Sequence, residues 1–385
     1  IARILYYIMV IGLFLNITVT PFSAMIAAHE KFVYISCVQI LDSLCKLGIA
    51  FMLKFSTADH LILYGFLLMG VELLNLILYA YYSIRNFEEI RISRSISRDL
   101  FRPMLSFSGW NLLEKIARLG KDQGLNIMLN FYFGPVVNAA RGVVNQVSYA
   151  FTGLVDSAIT ASRPQAIQAY AAGDTKRTLN MMFSLSKFTL LMLYVLVYPI
   201  YLEASYILGL WLGDNVPEYT LPFLNVTLIT ILIDKLSTPV NLVVHATGKM
   251  KWMNIASGIL NLVAVPIAFI ALIYGMDAVD VYWIVFVLTI VTQTAYVMML
   301  KRLVDYSVLQ YFREVIIACT LAIFASCLFP YLVHGFLPEG FLRLILVVLT
   351  SLVCGIVASY FFGITSKERE LCNSLVKSFI PKKHS

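Results

Sequence analysis

Long apolar segments separated by short polar breaks make up most of the chain. Eleven of them can be counted, at positions 4–27, 33–54, 60–83, 107–133, 136–160, 179–201, 219–245, 252–274, 279–300, 312–333 and 341–363. A helix of about 20 mostly apolar residues crosses the hydrocarbon core of a bilayer. Strands of a membrane barrel instead alternate apolar and polar residues over about ten positions, and the sequence lacks that pattern. The segments therefore predict an all-α polytopic membrane protein with eleven transmembrane helices.

The composition supports the same conclusion. The 385 residues are 60% hydrophobic and 13% charged, whereas soluble domains are roughly 45–50% apolar and about 25% charged. The six cysteines form no CxxC pair, and the five histidines form no metal-binding motif. Because a P-loop for ATP is also missing, the sequence indicates neither an enzyme nor a cofactor, and no pattern in it suggests a nucleic-acid partner.

The charges in the breaks predict which of them face the cytoplasm. The break 84–106 contains five arginines and the break 161–178 contains three basic residues, whereas 202–218 contains no lysine or arginine. Every second break along the chain is basic, and loops rich in Lys and Arg stay on the cytoplasmic side. This alternation supports eleven segments and predicts that the first of them begins on the outer side.

Two stretches 218 residues apart indicate an internal repeat. Residues 20–51 and 238–269 align without a gap and are identical at eight of 32 positions, including Thr20 with Thr238 and Pro21 with Pro239. The matched helices run in the same direction, as in parallel repeats of transporters. On this register the partner of segment 107–133 would precede residue 1. We therefore expect roughly 110 further residues with three helices before this sequence, and about 14 helices in the intact protein.

The repeat and the charges together divide the chain into five parts. We expect the last three helices of an N-terminal lobe at 1–83, a cytoplasmic linker at 84–106, a six-helix C-terminal lobe at 107–300, two additional helices at 301–363 and a cytoplasmic tail at 364–385. Both termini of the intact protein would then be cytoplasmic.

Three stretches carry a resemblance to a known family. They are FGPVVNAARGVVNQV at 133–147, RPQAIQAYAAGDTKR at 163–177 and TPFSAMIAAHEKF at 20–32. The sequence resembles bacterial polysaccharide flippases of the O-antigen and capsule type, in the multidrug/oligosaccharidyl-lipid/polysaccharide exporter superfamily, along nearly its whole length. The resemblance implies a two-lobe, MATE-like flippase fold in the bacterial cytoplasmic (inner) membrane. It also implies alternating access that moves undecaprenyl-pyrophosphate-linked oligosaccharides from the inner to the outer leaflet.

The segment 107–133 carries an unusual stripe of charge. The polar residues within an arc of about 120° on a helical wheel are Asn111, Glu114, Lys115, Arg118, Lys121 and Asp122. Five charges facing lipid would cost roughly 12–18 kcal/mol in total, at about 2.5–3.5 kcal/mol each. We therefore expect the stripe to face protein or water, and in a two-lobe transporter this helix would line a central cleft.

A cationic stripe in such a cleft suits a pyrophosphate headgroup. The predicted substrate-binding residues are Lys115, Arg118, Lys121 and Arg141, with Asn111 and Gln146 as hydrogen-bond partners of sugars. Arginine can bind phosphate through two parallel hydrogen bonds, whereas lysine makes a point contact. Two alternatives remain. The charges could pair within the helix, for example Arg118 with Glu114 or with Asp122, or the helix could lie at the membrane surface.

Three carboxylates within apolar segments are candidate ion-coupling sites, because intramembrane charges commonly mark ion or proton pathways. They are Glu72, Asp156 and Asp234. Glu72 has Asn75 one helical turn along and no basic neighbour in the sequence. The alternative for each carboxylate is a salt bridge to a charge on another helix.

Pro21 and Pro239 occupy matching places in the two repeats. Proline inside a helix removes a hydrogen bond and bends the helix, so both are hinge candidates. A static kink that shapes packing is the alternative.

These observations together predict the larger part of a lipid-linked oligosaccharide flippase, driven by protons, sodium or the membrane potential. Expected partners are the lipid-linked oligosaccharide, anionic lipids, and glycan polymerase or assembly proteins. The basic cluster 91–102 could contact anionic lipids or an assembly protein, but the bias of basic residues toward the cytoplasm is sufficient to explain it. One alternative is a cation-coupled multidrug exporter of the same superfamily, which would bind cationic or neutral compounds. Another is a non-transporting membrane scaffold for glycan assembly. A membrane glycan polymerase is disfavoured by the short outer loops.

Overall fold

A computed structural model describes residues 2–55, 59–89, 98–365 and 368–370. All regular elements in these ranges are helices, and nine of the helical stretches there are long and apolar enough to cross a membrane. The chain is therefore an all-α polytopic membrane protein. It divides into two compact units, Ile1–Arg98 and Asp99–Ser385. Most of the predicted basic cluster 91–102 and of the predicted tail 364–385 lies outside the described residues.

The N-terminal unit contains three long helices, α1 (Ala2–Ala28), α2 (Phe32–Phe55) and α3 (His60–Asn86). Asp59 begins α3, since its carboxylate accepts the backbone N–H groups of Leu61 and Ile62 at 3.0 and 3.3 Å. Both α1 and α2 pack against α3, and the buried cluster of the unit includes Ile26 and Tyr79.

The C-terminal unit contains the remaining helices. They are α4 (Arg98–Phe133), α5 (Pro135–Ala171), α6 (Thr175–Leu202), α7 (Ala204–Leu212), α8 (Thr220–Leu236), α9 (Thr238–Thr247), α10 (Lys251–Ile273), α11 (Ala278–Leu300), α12 (Val308–Tyr311), α13 (Ala318–Phe336) and α14 (Phe341–Ala358). Short π-helical segments follow α12 and α14, at Phe312–Ile317 and Ser359–Gly363. Gly134 adopts a φ of +78° between α4 and α5, a conformation that suits glycine, and Pro135 begins the next helix.

Several helices are longer than the predicted apolar segments. Helix α4 begins inside the predicted linker 84–106, α5 continues into the predicted loop 161–178, and α7 occupies part of the predicted loop 202–218. A helix satisfies its own backbone hydrogen bonds, so it can extend past the apolar region without penalty. Helices α4 and α5 are not among the nine candidate spans of the described residues. The count of eleven therefore stays a prediction.

The predicted segment 219–245 is broken into two helices at Ser237. Pro239 follows at the start of α9, where its missing N–H and its ring prevent a regular helix from continuing. Pro21, by contrast, lies within α1, which is assigned as one helix across it. The two prolines were predicted to act alike, and the structure shows that only one of them accompanies a helix break.

The packing order of helices is the same in the two proposed repeats. In the N-terminal unit the first and second helices both pack on the third, and in the C-terminal unit α8 and α10 both pack on α11. Helices α13 and α14 pack against each other and against α6. Two apolar clusters form the core of this unit. Along α8–α9 one cluster contains Phe223 and Leu228, and the other contains Val240 and Val243.

Candidate functional site

Helix α4 turns its apolar side chains outward. Its exposed apolar residues are Leu112, Leu113, Ile116, Leu119 and Ile127, with exposed fractions of 47–68%. These are the positions opposite the charged stripe, while Ala117, Leu125 and Leu129 are buried. The exposed leucines and isoleucines suit contact with lipid. Within the charged stripe, Asn111, Glu114 and Lys121 are partly buried against the rest of the C-terminal unit, whereas Lys115, Arg118 and Asp122 are exposed.

A polar cavity of about 230 Å³ lies beside this stripe, within the C-terminal unit. Six charged side chains line it, contributed by α4, α5 and α8, and they are Glu114, Arg118, Lys121, Asp156, Asp234 and Lys235. Three are cationic and three are anionic, so their formal charges cancel. This differs from the net positive cleft that the stripe alone suggested, because Asp156 and Asp234 come from helices far away in sequence.

The rest of the lining is mostly neutral and polar. These residues are Asn111, Ser237, Thr238, Asn241, His245, Asn254, Ser257, Asn261, Thr289, Thr292, Gln293 and Tyr296, and two apolar residues, Val244 and Met250, complete the lining. Along α8–α9 the charged cavity residues follow the first apolar cluster, and the second cluster borders the cavity directly, since Val244 belongs to both. The cavity is thus a polar compartment next to the apolar core of the helical bundle.

One ion pair in the cavity is tight. The Lys235 ammonium lies 2.7 Å from Oδ1 of Asp156 and joins α8 to α5, and the lysine side chain is only 9% exposed. This distance equals that of a strong charge-assisted hydrogen bond. Losing Asp156 would leave the lysine charge poorly solvated, whereas the Asp156 side chain is 56% exposed, and the pair links the two helices.

A second ion pair is looser. The Nη2 atom of Arg118 lies 3.6 Å from Oδ2 of Asp234, which is beyond hydrogen-bonding distance for charged groups, and the Arg118 side chain is 52% exposed. The other carboxylate oxygen of Asp234 accepts a 3.1 Å hydrogen bond from Gln293. Lys121 lies 4.0 Å from Asp122. Arg118 and Lys121 therefore retain hydrogen-bond donors that could bind an anion.

Helix α10 supplies polar contacts to α4. Ser257 donates a 3.4 Å hydrogen bond to Glu114, and Asn254 donates one of 3.4 Å to Asn111. The two helices approach closely here, since a Cβ at Gly258 would lie 3.5 Å from Ala117. Glu114 makes no ion pair within the described part of the chain. It is the one carboxylate of the cavity for which that is true.

The structure brings together half of the predicted substrate-binding residues. Asn111, Arg118 and Lys121 line the cavity, whereas Lys115, Arg141 and Gln146 do not. Nη2 of Arg141 instead donates to the backbone oxygen of Asp122 at 3.4 Å, and its guanidinium lies 5.9 Å from the ring of Tyr282. Lys115 and Gln146 are exposed elsewhere.

The alternative of pairing within α4 holds for one contact only, that of Lys121 with Asp122. Under that alternative Arg118 would pair with Glu114 or Asp122, but its salt bridge goes to Asp234 on α8. The flexible guanidinium reaches across the cavity because the stripe faces α8 and α10. This result favours the prediction that the stripe faces a polar interior over the alternative that the helix neutralises itself.

The three ion-coupling candidates lie in two places. Asp156 and Asp234 line the cavity, and each faces a cation on another helix, as the alternative interpretation had it. Glu72 belongs to the N-terminal unit, where it accepts a 3.4 Å hydrogen bond from Asn16.

Asn75, one helical turn from Glu72, contacts a different carboxylate. Asn75 donates to Asp42 at 2.9 Å, and Asp42 pairs with Lys46 at 2.8 Å. The amide of Asn75 therefore serves a carboxylate on a neighbouring helix, which spacing along one helix could not reveal.

Sequence reasoning missed several cavity residues. Glu114 belonged to the predicted stripe but was not named as a binding residue, and Lys235 was not named as a candidate at all. The polar face of α10 was also missed, although Asn254, Ser257 and Asn261 recur at helical spacing in an otherwise apolar segment. That periodicity was the available signal.

Within the ranges that the structure describes, no group of three or more His, Cys, Asp or Glu side chains could hold a metal ion. Comparison of the chain with protein-family models, with curated proteins and with solved structures finds no significant match.

Proposed function

We propose that this chain is the larger part of a bacterial transporter that flips undecaprenyl-pyrophosphate-linked oligosaccharide from the inner to the outer leaflet of the cytoplasmic membrane. The observation that carries the proposal is the position of Arg118 and Lys121. They line a polar cavity inside an apolar helical bundle and keep unused donors. Such donors would bind the pyrophosphate once it leaves water, and the amide and hydroxyl groups nearby would bind sugars.

The cavity volume limits what enters it in this conformation. About 230 Å³ accommodates a small polar group but not a headgroup with several sugars. The cargo would therefore load through a wider conformation, with the polyprenyl tail remaining in lipid. The fold would be a two-lobe, MATE-like one with 11 of about 14 transmembrane helices in this chain, and Pro239 beside the break at Ser237 would be a place for motion.

The proposed orientation puts the basic breaks, and both termini of the intact protein, in the cytoplasm. Two tryptophans support a membrane boundary near the start of α10. The ammonium of Lys251, at the start of that helix, lies 5.2 Å from the ring centres of both Trp110 and Trp252. Trp and Lys favour the boundary between lipid and water. Glycan polymerase or assembly proteins would act on the cargo on either side.

The test compares lipid extracts, by mass spectrometry, from bacteria that lack the full-length gene and carry either the wild-type gene or a variant. We expect pyrophosphate-linked oligosaccharide to accumulate in the deletion strain and with Arg118→Ala/Lys121→Ala, but not with Lys115→Ala. Lys115 is a matched control because it belongs to the same helix and does not line the cavity. A deletion strain without any accumulation would refute flipping.

A second candidate function is cation-coupled export of small cationic or neutral compounds. The balanced charges of the cavity favour it, and so does Glu114, which a cationic compound could approach. If this function is correct, the deletion strain should be sensitive to drugs and should not accumulate lipid-linked sugar. Glu114→Gln should give the same result. A non-transporting scaffold for glycan assembly would show neither effect in these variants, although deletion would still impair glycan assembly.

A further inference from the structure

A groove on the C-terminal unit lies where α5 and α6 meet, and it shares no lining residue with the polar cavity. Its volume is about 580 Å³. The stretch RPQAIQAYAAGDTKR contributes most of its open end, including Gln165, Lys176 and Arg177. The function proposed above does not use this stretch.

Two cations and one carboxylate, Asp174, line this open end, which leaves one net positive charge among the lining residues. Neither Lys176 nor Arg177 makes an ion pair with any other described residue. The adjacent Asp174 accepts the backbone N–H of Arg177 at 2.9 Å and so caps α6. The positive end of the helix dipole disfavours cations in the first turn of a helix. An anion bound here would offset this repulsion and would be attracted by both side chains.

The groove runs from the membrane surface toward the apolar region. The candidate span Thr175–Leu202 has 28 residues. It is therefore about 42 Å long, close to the thickness of a bilayer with its headgroups. Lys176 and Arg177 at its start thus lie at headgroup level. The lining continues for about 13 Å along α6 to Met181 and Leu185.

We infer that this groove binds a phosphate-bearing lipid of the cytoplasmic leaflet, with its phosphate at Lys176 and Arg177 and the first part of an acyl or prenyl chain against Met181 and Leu185. Basic pockets between transmembrane helices on the cytoplasmic side are suited to phosphate headgroups. Glu368 approaches the inner end through Ser184, but its carboxylate is paired with Lys187 and does not leave a free negative charge. The inference rests on the proposed orientation and not on the cargo.

The lipid could be an anionic phospholipid or the polyprenyl pyrophosphate itself, and one experiment separates them. Native mass spectrometry of the purified full-length protein in detergent gives dissociation constants for phosphatidylglycerol, undecaprenyl pyrophosphate and phosphatidylcholine. We expect Lys176→Gln/Arg177→Gln to weaken the tightest phosphate lipid about 30-fold, since each basic group contributes roughly fivefold. The control Lys301→Gln/Arg302→Gln removes the same charge from an exposed pair outside the groove and should change binding less than twofold.

A third variant tests the groove without changing its charge. Asn180→Trp fills the lining next to Lys176 and should also displace the lipid. Tighter binding of phosphatidylglycerol would identify a structural phospholipid, and tighter binding of undecaprenyl pyrophosphate would identify a loading site. Equal losses in the two double variants, or equal binding of phosphatidylcholine, would overturn the inference. Because binding is measured without transport, this result is independent of the test of flipping.

Discussion

The buried carboxylate Glu203 offers a quantitative test of what holds the two additional helices to the rest of the C-terminal unit. Its side chain has no exposed surface and lies between α6 and α7. Nη2 and Nε of Arg343, at the start of α14, donate to Oε2 of Glu203 at 2.8 and 3.2 Å. Nδ1 of His334, near the end of α13, lies 2.9 Å from Oε1. One carboxylate thus links the junction of α6 and α7 to both α13 and α14.

The magnitude follows from which charge is left behind. In Glu203→Met, the 12%-exposed side chain of Arg343 loses its partner and remains buried. Breaking a buried pair in this way typically costs about 3–5 kcal/mol. In Glu203→Met/Arg343→Met both charges disappear, and an apolar pair of similar size is often close to neutral. We therefore expect the double variant to be more stable than Glu203→Met alone.

The assay is unfolding of the purified protein in mixed micelles with increasing SDS, followed by far-UV circular dichroism. Glu218→Met is the matched control, because Glu218 is exposed and makes no ion pair within the described residues, so we expect a change below about 0.5 kcal/mol. The reasoning fails if Glu203→Met costs less than about 1 kcal/mol, or if the double variant costs the sum of the two single variants.

Three further predictions concern other parts of the C-terminal unit. A Cβ at Gly355 would lie 2.5 Å from a side-chain methyl of α6. Gly355→Ala should therefore destabilise the protein by about 1–3 kcal/mol in the same assay. The control Gly335→Ala should not, because the space around that position is open. Desolvation by burial raises the pKa of Glu368, but hydrogen bonds donated by Lys187, Ser184 and Thr365 outweigh this effect and lower the pKa. The stability lost in Glu368→Gln should therefore be constant above about pH 6 and shrink as the pH falls below 4.5. For Asp234→Asn, we expect flipping in proteoliposomes to lose its dependence on an imposed proton or sodium gradient; unchanged gradient dependence would contradict this role.

The helices and the orientation of α4 could be predicted because they depend on local patterns. Hydrophobic periodicity identified which face of α4 carries charge, and Leu112 and Ile116 are exposed on the opposite side as expected. The lengths of α4 and α5 could not be predicted in this way. Hydropathy identifies the residues that lie in the hydrocarbon core and does not identify the ends of a helix. Both helices continue beyond the apolar segment.

The partners of the intramembrane charges could not be predicted from the sequence, for a different reason. Asp156 pairs with a lysine 79 positions away, and Asn75 donates to Asp42, 33 positions away on another helix. Spacing along one helix reveals only neighbours three or four residues apart. Contacts between helices depend on how they pack, and a single sequence does not specify that.

If the cavity binds an anionic cargo as proposed, charge balance would couple that binding to the uptake of a cation. While the cavity is empty of cargo, three cations and three carboxylates compensate one another. A pyrophosphate that takes Arg118 away from Asp234 leaves that carboxylate without its cation. An uncompensated carboxylate in a poorly solvated cavity is costly, so a proton or a monovalent cation would have to accompany the cargo. The loose 3.6 Å pair is the natural place for this exchange, because the tight pair of Lys235 and Asp156 already holds the helices together. On this argument, the ion that drives transport and the anion that is transported meet at one side chain, Asp234.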